Sequence, residues 1–220
     1  MQADNNRSLL FVVGMHRSGT SALCAALEAC GATFGGELLG AMPGVNDEGF
    51  WEDQAVVALN ERLLLALGVQ WYGVDPEILP IDWGDSRFDA LRGEVREILQ
   101  RGFGDGPLEV LKDPRLCITL SFWLAACEEL AIEASVLVTN RAPLEVARSL
   151  EKRGLGDRLD ARLAARMLAA YCGRDRALRR AMRAAWPREA RRWRRHRLGW
   201  KLGRWIRSLA LLSLLVATVG

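Results

Sequence analysis

The sequence predicts an α/β domain: a three-layer arrangement in which a parallel sheet is covered by helices on both faces. Three short apolar runs carry that reading, at residues 8–13 (SLLFVV), 107–111 (PLEVL) and 134–139 (ASVLVT). They are unbroken rather than alternating, as expected of strands buried on both faces, and helical patterns separate them. The 220 residues, 50% of them apolar, are enough to bury a sizeable core.

Each element has a local reason. Residues 21–30 (SALCAALEAC) repeat apolar side chains at helical spacing and stop at Gly31. Residues 31–50 are rich in glycine and contain Pro43, which predicts a long, functional loop. Residues 51–67 form an amphipathic helical pattern with acids at its start and Gly68 beyond its end. Residues 71–85 are irregular and hold Trp71 and Trp83. Residues 87–101 repeat apolar positions at Leu91, Val95, Ile98 and Leu99. Helices are also predicted over 119–130, over 143–152, where Pro143 suits the first turn, and over 159–171.

Charge divides the chain. Residues 174–220 contain 14 of the 30 Lys and Arg but 2 of the 27 Asp and Glu, a local balance of +12 against −9 for the first 173. The reading is therefore a domain over residues 1–171 followed by an atypical basic segment and short apolar tail over 172–220. That segment reads as a peripheral contact with an anionic membrane surface, or as out-of-frame translation of a GC-rich gene. Its closing apolar run is short for a span of about 20 residues, and no groove-reading motif points to nucleic acid. The five cysteines form no Cys-x-x-Cys pair and residues 1–7 carry no apolar leader. Both features predict buried, reduced thiols and a cytoplasmic protein, associated with membrane at most through the tail.

The strongest local feature joins the first strand to the first helix: Gly14, Met15, His16, Arg17, Ser18, Gly19, Thr20 and Ser21. The glycine spacing is that of a P-loop, G-x-x-x-x-G-K-[ST], with Thr20 in the lysine position. Such a turn aims backbone N–H groups and a helix N-terminus at an anion. Here hydroxyls at Ser18, Thr20 and Ser21 add donors, and the cation, Arg17, lies inside the loop. A plain tight turn has little use for these groups. A second segment, residues 140–150 (NRAPLEVARSL), follows the 134–139 strand and places Arg141 and Ser149 where an open α/β sheet binds ligands.

The loop MHRSGTS resembles the 5′-phosphosulfate loop of sulfotransferases, in the Arg-Ser-Gly-Thr form of bacterial and tyrosylprotein-type members. The segment with Arg141 and Ser149 is similar to the 3′-phosphate motif of that family. Residues 46–52 (NDEGFWE) and 111–116 (LKDPRL) fit the bacterial branch, and the resemblance spans roughly residues 8–171. It implies a P-loop NTPase-like fold, incomplete here at its C-terminus. It also implies transfer of a sulfuryl group from 3′-phosphoadenosine 5′-phosphosulfate to a hydroxyl or amine of a carbohydrate, lipid or small metabolite, without a metal.

By that resemblance His16, Arg17, Ser18, Gly19, Thr20, Ser21, Arg141 and Ser149 hold the donor, and Arg17 also stabilises the transferring charge. His16 otherwise packs. The acceptor's base is Glu37, Glu52, Glu48 or none of these, and Glu52 and Asp53 read equally well as charges at a helix N-terminus. Lys112 and Arg115 are expected at the same sheet edge, on donor phosphate or an anionic acceptor, with Asp113 in a structural hydrogen bond. Trp51, Trp71 and Trp83 frame the adenine or acceptor pocket, or pack in the core. The alternatives are a P-loop small-molecule kinase, which Thr20 disfavours, and an inactive donor-binding relic.

Overall fold

The structure, a computed structural model, describes residues 7–43, 46, 49–71, 81–142, 145–146 and 149, and the backbone of 213–218. Four parallel strands, β1 (Ser8–Val13), β2 (Ala32–Thr33), β3 (Leu108–Lys112) and β4 (Glu133–Asn140), lie in the order β2-β3-β1-β4. Ser213–Thr218 (β5), from the stretch read as an apolar tail, pairs antiparallel with the outer edge of β4. The helices are α1 (Thr20–Ala29), α2 (Gln54–Ala66), α3 (Asp89–Arg101) and α4 (Leu116–Glu129). The predicted helix over 143–152 is described only at Glu145, Val146 and Ser149, and that over 159–171 lies outside the described residues, as does the basic segment from 174 to 207.

Strand pleating explains the layers. Leu9, Phe11 and Val13 point to one face, where α2, α3 and α4 supply Val56, Leu59, Leu63, Leu91, Val95, Leu99, Phe122 and Trp123. Val12 points to the other and packs with Leu23 and Cys24 of α1, Val110 and Leu137. The middle of each central strand is thus apolar on both faces because both are covered, with polar residues such as Ser8, Glu109 and Lys112 towards the strand ends.

Element ends follow local chemistry. Asp53, in extended backbone, caps α2 by accepting from the Ala55 and Val56 N–H groups at 3.0 and 3.2 Å, so the helix begins later than the apolar pattern suggests. Its other oxygen takes the Arg101 guanidinium at 2.8 Å. Two predictions about cysteine need correction: Cys24 and Cys127 are buried, with thiols pushed by burial up to about 12 and about 11, but Cys30 is exposed and Cys117 half-buried. Cys30 occupies the helix end, where no apolar partner covers it.

Arg7 clamps the start of β1 to that of β3. Its Nε and Nη2 donate to the two Glu109 oxygens at 2.5 and 2.6 Å, and its Nη1 to the Leu99 carbonyl. Burial opposes ionisation of Glu109, but the Arg7 hydrogen bond, the Phe103 N–H and the Arg7 charge together hold its pKa below the ordinary carboxylate range. A depressed folded-state pKa gives stability that is present above the unfolded value and lost as pH falls through the folded one. Glu109→Gln is therefore expected to lower denaturant stability by about 1 kcal/mol at pH 7, with the difference closing as pH falls below the ordinary carboxylate range. Urea titrations across that range check it.

Candidate anion-binding site

The loop after β1 is shaped by close packing against β4. Pairing of Val13 with Val138 sets Thr139 beside Gly14. A Cβ on Gly14 would lie 2.1 Å from the Thr139 hydroxyl and 2.6 Å from that of Ser18, so only glycine fits. The Ser18 and Thr139 hydroxyls are hydrogen-bonded at 2.8 Å, both buried, and the Ser18 N–H donates to the Met15 carbonyl at 3.0 Å. Ser18 therefore fastens the loop to β4 with its hydroxyl. Arg17 and Gly19 both take left-handed backbone, at φ 67° and 98°. For Arg17 that conformation costs about 1–2 kcal/mol, which the surrounding contacts must hold in place. Gly19 caps α1, whose first residue, Thr20, is buried.

On the β4 side the two cationic segments meet. The Arg141 Nη1 donates to the Arg17 carbonyl at 3.2 Å, and the Arg17 Nε donates to the Ser149 hydroxyl at 2.8 Å. Arg141 also pairs with Glu145 at 3.1 Å, one helical turn on. Burial first, then the charge of Arg141, holds the Arg17 guanidinium below its ordinary pKa. The two cationic segments therefore share one half-buried edge of the sheet, with Arg141 balanced by Glu145.

The β3 side carries a third cation. Lys112, level with Val12 of β1, is almost wholly buried; its Nζ donates to Glu52 Oε1 at 2.6 Å, the Phe50 carbonyl at 2.7 Å and the Ser21 hydroxyl at 3.4 Å. Asn46 Nδ2 also reaches Ser21 at 3.4 Å. Burial raises the Glu52 pKa, Lys112 opposes that, and Asp113 adds to it. Glu52 is thus the buried partner of Lys112, while Asp53, its neighbour, is the helix cap.

Beyond this pair lies a polar network in which Asp113 makes the structural hydrogen bonds expected of it, with partners on α2 that the sequence did not disclose. Asp113 accepts from Asn60 Nδ2 at 2.9 Å, and from the Arg115 N–H and Nη1 at 2.8 and 3.0 Å. Asn60 in turn accepts from the Thr119 hydroxyl and the Trp123 indole at 2.8 and 2.9 Å, and Arg115 reaches Glu61 at 2.8 Å. A polar Asn in the apolar face of α2 was the one available signal.

The other candidates are dispersed. Glu37 is exposed; its carbonyl accepts from the Gln54 N–H at 2.9 Å, beside the Leu38–Asp53 bridge. Glu48 lies outside the described residues. Trp51 is buried with its indole on Glu28 at 3.0 Å, and Trp83 packs on Phe88 and Phe122 with its indole on Ser121 at 2.8 Å. Of the three tryptophans, Trp71 adjoins the loop, its ring centroid 4.3 Å from that of His16. Among the described residues, no group of three or more His, Cys, Asp or Glu is placed to hold a metal, and no helix is long and apolar enough to cross a membrane.

The chain is thus an α/β domain with a four-strand parallel sheet, helices packed on it, and a glycine-hinged loop at the carboxyl edge of β1. No family model, no curated protein and no solved structure matches it. Gly14→Ala is expected to cost about 1–3 kcal/mol, because the new Cβ must displace Thr139 and Ser18. Chemical denaturation of the variant beside Gly36→Ala, where a Cβ meets nothing within 4 Å, isolates that packing effect from the loss of a glycine.

Proposed function

We propose that the domain is a sulfotransferase that binds 3′-phosphoadenosine 5′-phosphosulfate across the carboxyl edge of β1 and β4 and passes its sulfuryl group to a hydroxyl or amine. The observation that carries this reading is the meeting of the loop with the second motif: Arg17 on Ser149 and Arg141 on the Arg17 backbone, across more than 120 residues of chain. A ligand with an anion at each end of an adenosine suits two such adjoining cationic segments better than a single phosphate does. The like charge of Arg17 and Arg141 supports it further, because a bound dianion relieves the repulsion.

In this reading the loop N–H groups, Thr20 and Ser21 hold the 5′-phosphosulfate, and Arg141 with Ser149 holds the 3′-phosphate. Sulfuryl transfer is an in-line displacement: the acceptor oxygen or nitrogen bonds to sulfur as the bond to the bridging phosphate oxygen breaks. The acceptor loses its proton to a base, and adenosine 3′,5′-bisphosphate leaves. The protein's part is to align the groups and stabilise charge spreading onto the sulfuryl and bridging oxygens, as in phosphoryl transfer. Arg17 does so from within the loop, and Lys112 supplies from β3 the ammonium that the loop lacks at Thr20. Of the two candidate bases among the described residues, Glu37 is exposed, whereas Glu52 is engaged by Lys112.

Calorimetry with adenosine 3′,5′-bisphosphate, against ATP with Mg²⁺, tests the reading. The bisphosphate is expected to bind without metal and more tightly than Mg-ATP; preference for Mg-ATP would point to a kinase, and silence toward both would reject a nucleotide site. Turnover of labelled donor then separates an enzyme from a relic. With turnover in hand, Arg17→Ala is expected to lower kcat by about 100-fold, on the order of 3 kcal/mol in the barrier.

A further inference from the structure

The Lys112–Glu52 pair poses a question that fold stability does not answer. Withdrawing two charges from water costs several kcal/mol per ion, and a well-packed apolar pair is often no less stable. Nor is Glu52 needed to balance Arg115, which already has Asp113 at 3.0 Å and Glu61 at 2.8 Å and stands 3.9 Å from Glu52. The short contact of Glu52 is with Lys112 alone. An ammonium has three protons, and Lys112 has three acceptors: the Glu52 carboxylate, the Phe50 carbonyl and the Ser21 hydroxyl. Two of these fix it from the strap before α2, and the third is the residue that closes the anion loop.

The backbone around Glu52 is equally fixed. Trp51 is held at φ 51° with its indole on Glu28 of α1. Asp53 is locked as the cap of α2 and bound by Arg101. The carboxylate is therefore delivered to Lys112 by a segment anchored on both sides, as a supporting group of a preorganised site would be.

We propose that Glu52 is a positioning residue that acts through Lys112: it holds the buried ammonium against Ser21, so that its charge supports the anion site from β3 through that hydroxyl. This rests on the anion-binding reading above and extends it by assigning Glu52 a role other than that of base. Glu52 touches no ligand in this assignment; it sets where the Lys112 charge stands.

The test uses the full chain, the variants Glu52→Gln, Glu52→Asp and Lys112→Met, and the Glu52→Gln/Lys112→Met double variant. One readout is affinity for adenosine 3′,5′-bisphosphate. The other is the slowly exchanging ¹H–¹⁵N signal of the Lys112 ammonium, assigned by its loss in Lys112→Met. The wild type is expected to show the signal and to shift it on adding the bisphosphate. Glu52→Gln is expected to lose the signal and about tenfold in affinity, and the double variant to lose no more than Lys112→Met alone, since the two residues act as a unit. Should Glu52→Gln fail to fold by circular dichroism, Glu52→Asp carries the test, with a smaller loss in both readouts. Wild-type affinity in a folded Glu52 variant would overturn the proposal, as would losses in the double variant that simply add. If the wild type shows a Glu52-dependent ammonium signal but binds no bisphosphate, the sulfotransferase reading falls and takes with it the role of Glu52 toward the anion.

Discussion

The hydrogen bonds that join the loop after β1 to the segment after β4, from Arg141 to the Arg17 carbonyl and from Arg17 to Ser149, are the constraint on which the candidate site depends. Burial first, and the charge of Arg141 second, disfavour the protonated Arg17 guanidinium there. The fold nonetheless imposes the arrangement three times over: Gly14 packs against Thr139, Ser18 bonds to Thr139, and Arg141 bonds to the Arg17 carbonyl. Left-handed backbone at Arg17 adds a further unfavourable term at the same residue. Unfavourable local energy that the surroundings over-determine supports the proposal of a binding site at this loop.

Strand order sets how the cations surround that point. Because β1 lies between β3 and β4, its loop is flanked by whatever each neighbour presents at its carboxyl end. β4 leads into Arg141, and β3 ends at Lys112. The two sides differ in kind: Arg141 is half-exposed and adjustable, whereas Lys112 is sealed in and fully engaged. One side suits capture of a charged group from solvent, and the other suits fixed electrostatic support.

Much of the frame was legible from sequence because it is local. Largely apolar runs gave β1, β3 and β4 to within a residue or two, since a strand covered on both faces keeps few polar positions to blur it. The loop was legible because glycine spacing states a backbone shape. Two-residue β2 was not, being too short to carry a pattern; it is held by pairing of Ala32 and Thr33 with Leu108 and Glu109. The partner of Glu52 was equally hidden. Glu52 and Asp53 are adjacent acids at a helix start, and only the tertiary fold sends one to the helix N–H groups and the other to Lys112, 60 residues away. The candidate bases suffered from the same gap, for a carboxylate's exposure depends on what packs over it, and sequence spacing is silent on that.

The most direct measurement is a crystal structure of the chain with adenosine 3′,5′-bisphosphate. The 5′-phosphate is expected in the loop from Gly14 to Thr20 and the 3′-phosphate within hydrogen-bond reach of Arg141 and Ser149, with Arg17 lying between the two ends. A nucleotide seated away from β1 and β4, or an Arg141 side chain turned from the loop with its phosphate unbound, would contradict this placement.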